Sequence, residues 1–429
     1  VPIGAPGMWS VLSLALAAPV QDAVDLCGYS TSLCGVTSYA GHVPVVRAGS
    51  IFYWYFTPEQ PPQDVPVVLW LQGGPGASSM LGALFEHGPL SVDEEGVLHR
   101  RQQSHSWASV APVLYLDSPV GTGLSFAEGD HGYARTQADV SRVLAAVLER
   151  FAQLHPEAPR RFLLTGESYG GHFIPALASY LLDNPGSIEV AGVMVGDGLT
   201  DPAVQILQKP MSAFQLGLID ETQYQEAQGL AELASQLALD GNFSGAAFAR
   251  AAMEQLVEDA SQVTPYDVRD LDGYAYQDQR MRKLFADPSI RSLLHIPTNV
   301  TWGAHADVVK QYLQDDIMRS QKPAVERLLK AGVHTLFYQG QFDWKDGVVS
   351  NEAWIRSMHW TGVVGYLQAN RTLWRRSSDG RLAGYWRGYK NLQQVVVLGA
   401  GHMVPMNQPE SAVDLLRRFL DILQGHVLV

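Results

Sequence analysis

Ser168 is the side chain around which covalent chemistry could be built. It stands in Gly166-Glu167-Ser168-Tyr169-Gly170, after the apolar run Arg161-Phe162-Leu163-Leu164-Thr165 and before Gly171-His172-Phe173-Ile174-Pro175-Ala176-Leu177. A strand-length apolar run followed by a helix-like stretch places the serine at a sharp strand-to-helix turn. Flanking glycines relieve Cβ clashes there, and the hydroxyl is left at the strand tip, able to attack a carbonyl carbon. The bare Gly-x-Ser-x-Gly string is equally a glycine-rich turn, so partners elsewhere must decide.

Those partners follow in the chain order of α/β-hydrolases, nucleophile then acid then histidine. Thr335-Leu336-Phe337-Tyr338 reads as a strand that delivers Asp343, and Gln394-Val395-Val396-Val397-Leu398 as another that delivers His402. His402 would take the Ser168 proton and return it to the leaving group, while Asp343 would fix the imidazole tautomer. Asp346 is the rival acid; Asp343 is preferred because it is nearer the strand end, whereas Asp346 follows Lys345 and can be satisfied as an exposed ion pair. The electrophilic half would come from residues 67–79, where Val67-Val68-Leu69-Trp70-Leu71 runs into Gln72-Gly73-Gly74-Pro75-Gly76. The backbone N–H groups of Gly74 and Tyr169 are the candidate oxyanion hole. Alone, Gly-Gly-Pro-Gly is just as good a tight turn.

At the level of longer motifs the chain resembles the serine carboxypeptidases. The matching stretches are W-L-Q-G-G-P-G-A-S-S at Trp70, F-E-H-G-P at Phe85 and S-W-A-S-V-A-P-V-L-Y-L-D-S-P-V-G-T-G-L-S-F from Ser106. G-E-S-Y-G-G-H-F-I-P at Gly166, G-D-G-L-T-D-P at Gly196 and G-A-G-H-M-V-P-M-N-Q-P at Gly399 complete the set, which spans almost the whole chain. Gln72, where most of that family carries Asn, and the Gly-Gln-x-Asp form around Asp343 are most similar to its vitellogenic-like branch.

The resemblance implies an α/β-hydrolase fold, no cofactor and no metal, and peptide substrates with a free C-terminus. It also implies that Gln72, Glu86 and Glu167, with Trp70 beside them, hold the substrate's terminal carboxylate. Acids can bind an acid if they share a proton, because crowded carboxyls raise one another's pKa and the protonated one donates. Binding would then favour acid pH. Three departures stand out. Gln72 is one methylene longer than Asn, so its amide must retract or the pocket shift; Ala77 replaces a cysteine that braces the site in many relatives; and Asn407 replaces an Asp beyond His402. The expected function is removal of C-terminal residues through an acyl-enzyme. A transferase that passes the acyl group to an alcohol or amine, and a protective or binding protein with a vestigial site, are the alternatives.

The elements needed to position these residues are legible as an alternation of strand-like and helical runs, which predicts a mostly parallel sheet flanked by helices. Strands are expected at 51–56, 67–71, 113–116, 162–165, 190–195, 335–338 and 394–398. A helix is expected over 137–154, capped by Thr136, with a hairpin around Ser377-Ser378-Asp379-Gly380 and a closing amphipathic helix over 410–423. Core segments at 38–202 and 302–425 would enclose a helical cap insertion at 203–301, rich in Gln, Ala, Leu and Glu. The Tyr, Arg and Asp cluster at 266–282 reads as a solvated helical face, with reaching the site as the alternative.

A chain of 429 residues with 46% apolar and 17% charged content is globular, and a net charge of −13 argues against a nucleic-acid partner. Residues 1–20 carry a short apolar run from Trp9 to Ala18 that fits a signal-peptide core, although a basic region before it is lacking. Apolar runs elsewhere are too short for a membrane span. Asn242, Asn299 and Asn370 head glycosylation sequons, and Cys27 and Cys34, the only cysteines, fit one local disulfide or two buried thiols. These features point to the secretory pathway, with a lysosomal, vacuolar or extracellular destination, and leave a homodimer open.

Overall fold

Apolar runs become strands here wherever both of their faces can be covered by helices. The computed structural model describes residues 22–60 and 64–426, and its frame is an eleven-stranded sheet. Ten strands form a continuous path: β1 (Thr37–Val45), β2 (Gly49–Thr57), β3 (Val67–Leu71), β4 (Val113–Leu116), β5 (Arg161–Glu167), β6 (Glu189–Gly196), β7 (Thr335–Gly340), β8 (Thr372–Arg375), β9 (Leu382–Tyr389) and β10 (Leu392–Val397). Their spatial order is β1-β2-β4-β3-β5-β6-β7-β10-β9-β8, with the short strand Phe126–Ala127 against β2. The central strands β4, β3, β5, β6, β7 and β10 run parallel, and antiparallel pairs close both edges. This is the mostly parallel, helix-flanked sheet that the alternation of runs predicts, in the α/β-hydrolase architecture that the resemblance implies.

Side chains alternate across the pleat, and each set finds its own helical layer. Val67, Leu69, Leu71, Phe162 and Leu164 pack with Val140, Leu144 and Val147 of helix α1 (Gln137–Leu154) and Phe173 and Leu177 of α2 (Gly170–Asp183). Val68, Trp70 and Leu163 face the other way, in the same cluster as Leu415, Leu416 and Phe419 of the closing helix, Pro409–Leu423. Each such side chain contributes roughly 1.5–3 kcal/mol relative to exposure, so the central strands are the rigid part of the molecule. Thr136 caps α1 as expected, its hydroxyl accepting from the Asp139 N–H.

β1 escaped the strand pattern because Gly41 and Pro44 interrupt it. It is nonetheless paired with β2 over its full length, and its edge position is what tolerates a proline. Between β6 and β7 the described residues contain no strand. Helices begin at Pro202 and continue beyond residue 301, with Asp307–Tyr312 and Lys322–Lys330 still ahead of β7. The largest are α3 (Glu221–Leu239), α4 (Phe243–Ser261) and α5 (Ala275–Ala286). α3 opens on a capping box from Asp220 and Gln223, and after the tight reversal at its far end α4 opens on Asn242. Their buried faces are small, Ala227, Ala231, Ala234 and Ala238 against Ala246, Ala247 and Ala249, which lets the helices lie close. Cys27 and Cys34 are disulfide-bonded. The proposed leader at 1–20 lies outside the described residues.

Candidate active site

β5 ends at Glu167, and α2 begins three residues later. Ser168 occupies the corner at φ 60°, a left-handed conformation that a β-carbon residue adopts only when its surroundings hold it there. They do. The Ser168 N–H donates to the Gly196 carbonyl at 3.0 Å, and its own carbonyl accepts from the N–H groups of Gly171 and Leu199, both at 2.9 Å. The turn after β3 presses against this corner from the other side. A Cβ at Gly73 would lie 2.5 Å from the Tyr169 nitrogen, so only glycine fits. Tyr169 is fixed from below, its hydroxyl donating to buried Asp316 at 2.8 Å, while Gln137 donates to the same carboxylate at 2.6 Å. Among the described residues no protein acceptor takes the N–H of Gly74 or of Tyr169, and both residues line the cavity that holds Ser168.

Asp343 and His402 arrive from the loops after β7 and β10. The His402 ring nitrogen Nδ1 lies 2.9 Å from Asp343 Oδ2, and Asp343 also accepts from the N–H groups of Lys345 (2.7 Å) and Asp346 (3.2 Å). An acceptor at Nδ1 selects the tautomer whose Nε2 carries a lone pair. That Nε2 is buried without a partner among the described residues, and His402 and Ser168 line one cavity of about 770 Å³. Burial alone would depress the His402 pKa. The charge and hydrogen bond of Asp343, helped by Asp346, outweigh it and leave the imidazole more basic than usual.

Of the two reasons for setting Asp346 aside, the exposed ion pair is overturned. Asp346 is buried, not exposed, and its carboxylate lies 3.6 Å from Lys209, whereas Lys345 pairs with Glu254 at 2.9 Å. The start of the helix Val348–Arg356 is tucked beneath the cap, which the local sequence does not reveal. The reading of 266–282 as a solvated face is corrected as well. Tyr266, Tyr274, Gln277, Asp278 and Arg282 line the cavity, and the Tyr266 carbonyl accepts the His402 N–H at 2.7 Å. The loop between α4 and α5 folds over the histidine, a long-range contact without periodic signature.

Gln72, Glu86 and Glu167 converge in the buried wall next to Ser168. The Gln72 amide donates to Glu86 Oε1 at 3.2 Å and to Glu167 Oε1 at 3.0 Å, and accepts from the Trp70 indole at 2.9 Å. The longer side chain therefore folds back over both acids. Burial raises both glutamates well above the usual carboxylate range, and the two carboxyls lie within hydrogen-bonding reach of each other. The second oxygen of each has no other partner among the described residues. Gln72 and Glu167 line the cavity, while fully buried Glu86 stands behind them.

Two acids went unnoticed at the sequence level. Asp117, in Leu116-Asp117-Ser118-Pro119 at the end of β4, accepts from the Ser78 hydroxyl and the Ser79 N–H at 2.8 Å and from the Leu124 N–H at 2.7 Å. It thereby ties down the loop after Gly74, and burial pushes its carboxyl up to about 6. Asp197, in Gly196-Asp197-Gly198, stands beside Asp343. Their common signal was an Asp directly after an apolar run.

Residues 30–422 match the family model of the serine carboxypeptidases. The chain belongs to the serine carboxypeptidase family. It is 33% identical to the human "Probable serine carboxypeptidase CPVL" over 402 residues, 89% of this chain and 83% of that protein. It is likewise 33% identical to the "Venom serine carboxypeptidase" of Apis mellifera over 410 residues, 90% and 84% of the two chains. The crystal structure of a prohormone-processing carboxypeptidase of Saccharomyces cerevisiae superposes with a TM-score of 0.79 at 25% identity, covering 91% of each chain. This serine carboxypeptidase carries no cysteine at Ala77, yet the same loop is braced by backbone. The Ser78 N–H donates to the Ala304 carbonyl and the Ala306 N–H to the Gly76 carbonyl, both at 2.9 Å, around a bridge between Ala77 and His305. Asn407, the third departure, accepts from the Gly401 N–H at 2.8 Å and so shapes the turn that carries His402.

Proposed function

We propose that this serine carboxypeptidase cleaves the last peptide bond of its substrate through Ser168, His402 and Asp343, and reads the terminal carboxylate through Gln72 and the Glu86–Glu167 pair. Ser168 Oγ attacks the scissile carbonyl as His402 Nε2 takes its proton, and the N–H groups of Gly74 and Tyr169 receive the oxyanion. The imidazolium, stabilised by Asp343, gives the proton to the departing amine, which leaves as a free amino acid. Water, deprotonated by the same imidazole, then hydrolyses the acyl-enzyme.

The observation that carries the reading is a buried pair of acids, within hydrogen-bonding reach of each other, in the wall beside a nucleophile corner. Both carboxyl pKa values are raised, so the donor proton is present at acid pH and is lost as pH rises. KM for a peptide acid should climb about tenfold or more over roughly two pH units above that range, while KM of the matching peptide amide stays nearly level. Glu167→Gln, a non-titrating donor at the cavity wall, should flatten the acid's profile, and Glu86→Gln should do so through Glu167. Parallel curves for acid and amide in the wild type would refute the carboxylate reading and leave the Ser168 chemistry untouched.

The compartment we propose is an oxidising, glycosylating lumen of the secretory route. The Cys27–Cys34 disulfide and the exposure of Asn242, Asn299 and Asn370 support it, as does the likeness to a venom protein. Asn242 caps α4 through Oδ1, which leaves its amide nitrogen for a glycan. Digestion of the secreted protein with an N-glycosidase should lower its apparent mass, and each Asn→Gln change should remove one step.

A further inference from the structure

An acid that takes no part in the proposed steps lies against the catalytic one. Asp197 is fully buried after the C-terminal end of β6, at φ 43°, a left-handed conformation that is unfavourable for a residue with a β-carbon. Its N–H donates to the Tyr338 carbonyl at 2.8 Å, and its two carboxyl oxygens lie 2.9 and 3.2 Å from the Gly340 N–H. The carboxyl is within hydrogen-bonding reach of Asp343. One oxygen of each acid and one ring nitrogen of His402 lie within 4.8 Å of one another.

The surroundings decide which acid holds the charge. Asp197 is faced by Asp343 from the loop after β7, Tyr338 from β7 itself, Glu167 from the end of β5 and His402 from the loop after β10. None of these groups is a lysine or arginine. Lys345, on the far side of Asp343, is paired with Glu254, and Lys209 lies between Glu254 and Asp346. Two touching carboxylates in a buried site with one imidazole between them cannot both ionise. Among the described residues Asp343 accepts from three donors, His402 Nδ1 and the N–H groups of Lys345 and Asp346, whereas Asp197 accepts from the Gly340 N–H alone. The charge therefore sits on Asp343.

We propose that Asp197 is a positioning residue that carries a proton and donates it, as a carboxyl-to-carboxylate hydrogen bond, to Asp343, thereby lowering the basicity of His402. The inference rests on the reading of His402 as the base for Ser168. Burial, followed by the nearby charge of Asp343, pushes the Asp197 carboxyl well above its ordinary range, which accords with this assignment. Its consequence is functional. A donor on Asp343 spreads that carboxylate's charge, weakens its hold on the imidazolium and leaves His402 free to accept a proton at a lower pH than Asp343 alone would allow.

The rate at which a fluorophosphonate labels Ser168 reads the free-base fraction of His402 without requiring a peptide, so its pH profile is the measurement. It is taken on the full chain for wild type, Asp197→Ala and Asp197→Asn. Ala removes the donor and should move the acid limb up by roughly one pH unit, about tenfold slower labelling at a fixed pH on the limb. Asn can accept from Gly340 through its oxygen and donate to Asp343 through its nitrogen without charge, and should bring the limb back to the wild-type midpoint. An Asn limb displaced to lower pH would mean that Asp197 is normally ionised and overturns the proposal, even if the Ala variant fails to fold. An Ala limb superposed on wild type overturns it too. Absence of labelling in the wild type would instead remove the Ser168–His402 pairing, and this proposal with it.

Discussion

Ser168, His402 and Asp343 each sit just past the C-terminal end of a central parallel strand, and that placement makes them separable by mutation. Ser168→Ala and His402→Ala should each lower kcat by about 10⁴ or more, and the double variant should lose little further, because the pair acts as one unit. Asp343→Asn should cost roughly 10⁴ by presenting the wrong imidazole tautomer. Asp346→Asn keeps the His402–Asp343 contact and should change kcat by no more than a few-fold, while lowering Tm through the loss of a charge buried next to Lys209. Steady-state kinetics and thermal melts on the five variants check the set, and a larger kcat loss at Asp346 than at Asp343 would exchange their roles. The placement of these three side chains just past strand ends was legible because strand ends are marked by apolar runs. Glu86 was legible only through family resemblance: its full burial comes from the π-helical turn Gly82–Glu86 beneath Trp70, a tertiary placement that no local pattern announces.

Helices were legible where one stripe faces the sheet, as in α1, and opaque where the segment's role is to meet a distant loop. The helices between β6 and β7 are fastened to the loop after β7 by Glu254 of α4, which pairs with Lys345 of that loop at 2.9 Å and with Lys209 at 2.6 Å and Arg250 at 2.9 Å in a site almost closed to solvent. Burial opposes its ionisation, but the charges of Arg250, Lys209 and Lys345 win and hold the carboxyl well below its ordinary 4.5. A depressed pKa contributes stability that is complete above the unfolded-state value, fades progressively as pH falls below it, and is lost once pH passes the much lower folded-state value. Glu254→Gln should therefore destabilise by about 3 kcal/mol, equally at pH 5 and pH 7, with the difference shrinking only below about 4. Denaturant melts at several pH values, with limited proteolysis of residues 240–270, test this. A penalty that already vanishes at pH 5 would place the anchor elsewhere.

For the molecule as a whole, the order of helices and strands carried the fold class, and the misjudged parts are those fixed by contacts between distant segments: the edge strand β1, the loop at 262–274 and the buried Asp346. The disulfide closes only a short loop, so its loss should cost about 2 kcal/mol. The Cys27→Ser/Cys34→Ser variant should melt earlier and keep its kcat, since neither residue lines the cavity; unchanged melting would assign the bridge no stabilising role. The backbone pairing of residues 76–78 with 304–306, and the carbonyl of Tyr266 under His402, bear on engineering by recombination. Specificity would ordinarily be transplanted between relatives by swapping the helical insertion at its outer boundaries. In this chain two stretches of that insertion double as scaffolding for the oxyanion loop and the histidine. A chimera cut inside 262–274 or 304–306 inherits mismatched supports and loses turnover, whereas junctions placed outside both stretches carry pocket and supports across together.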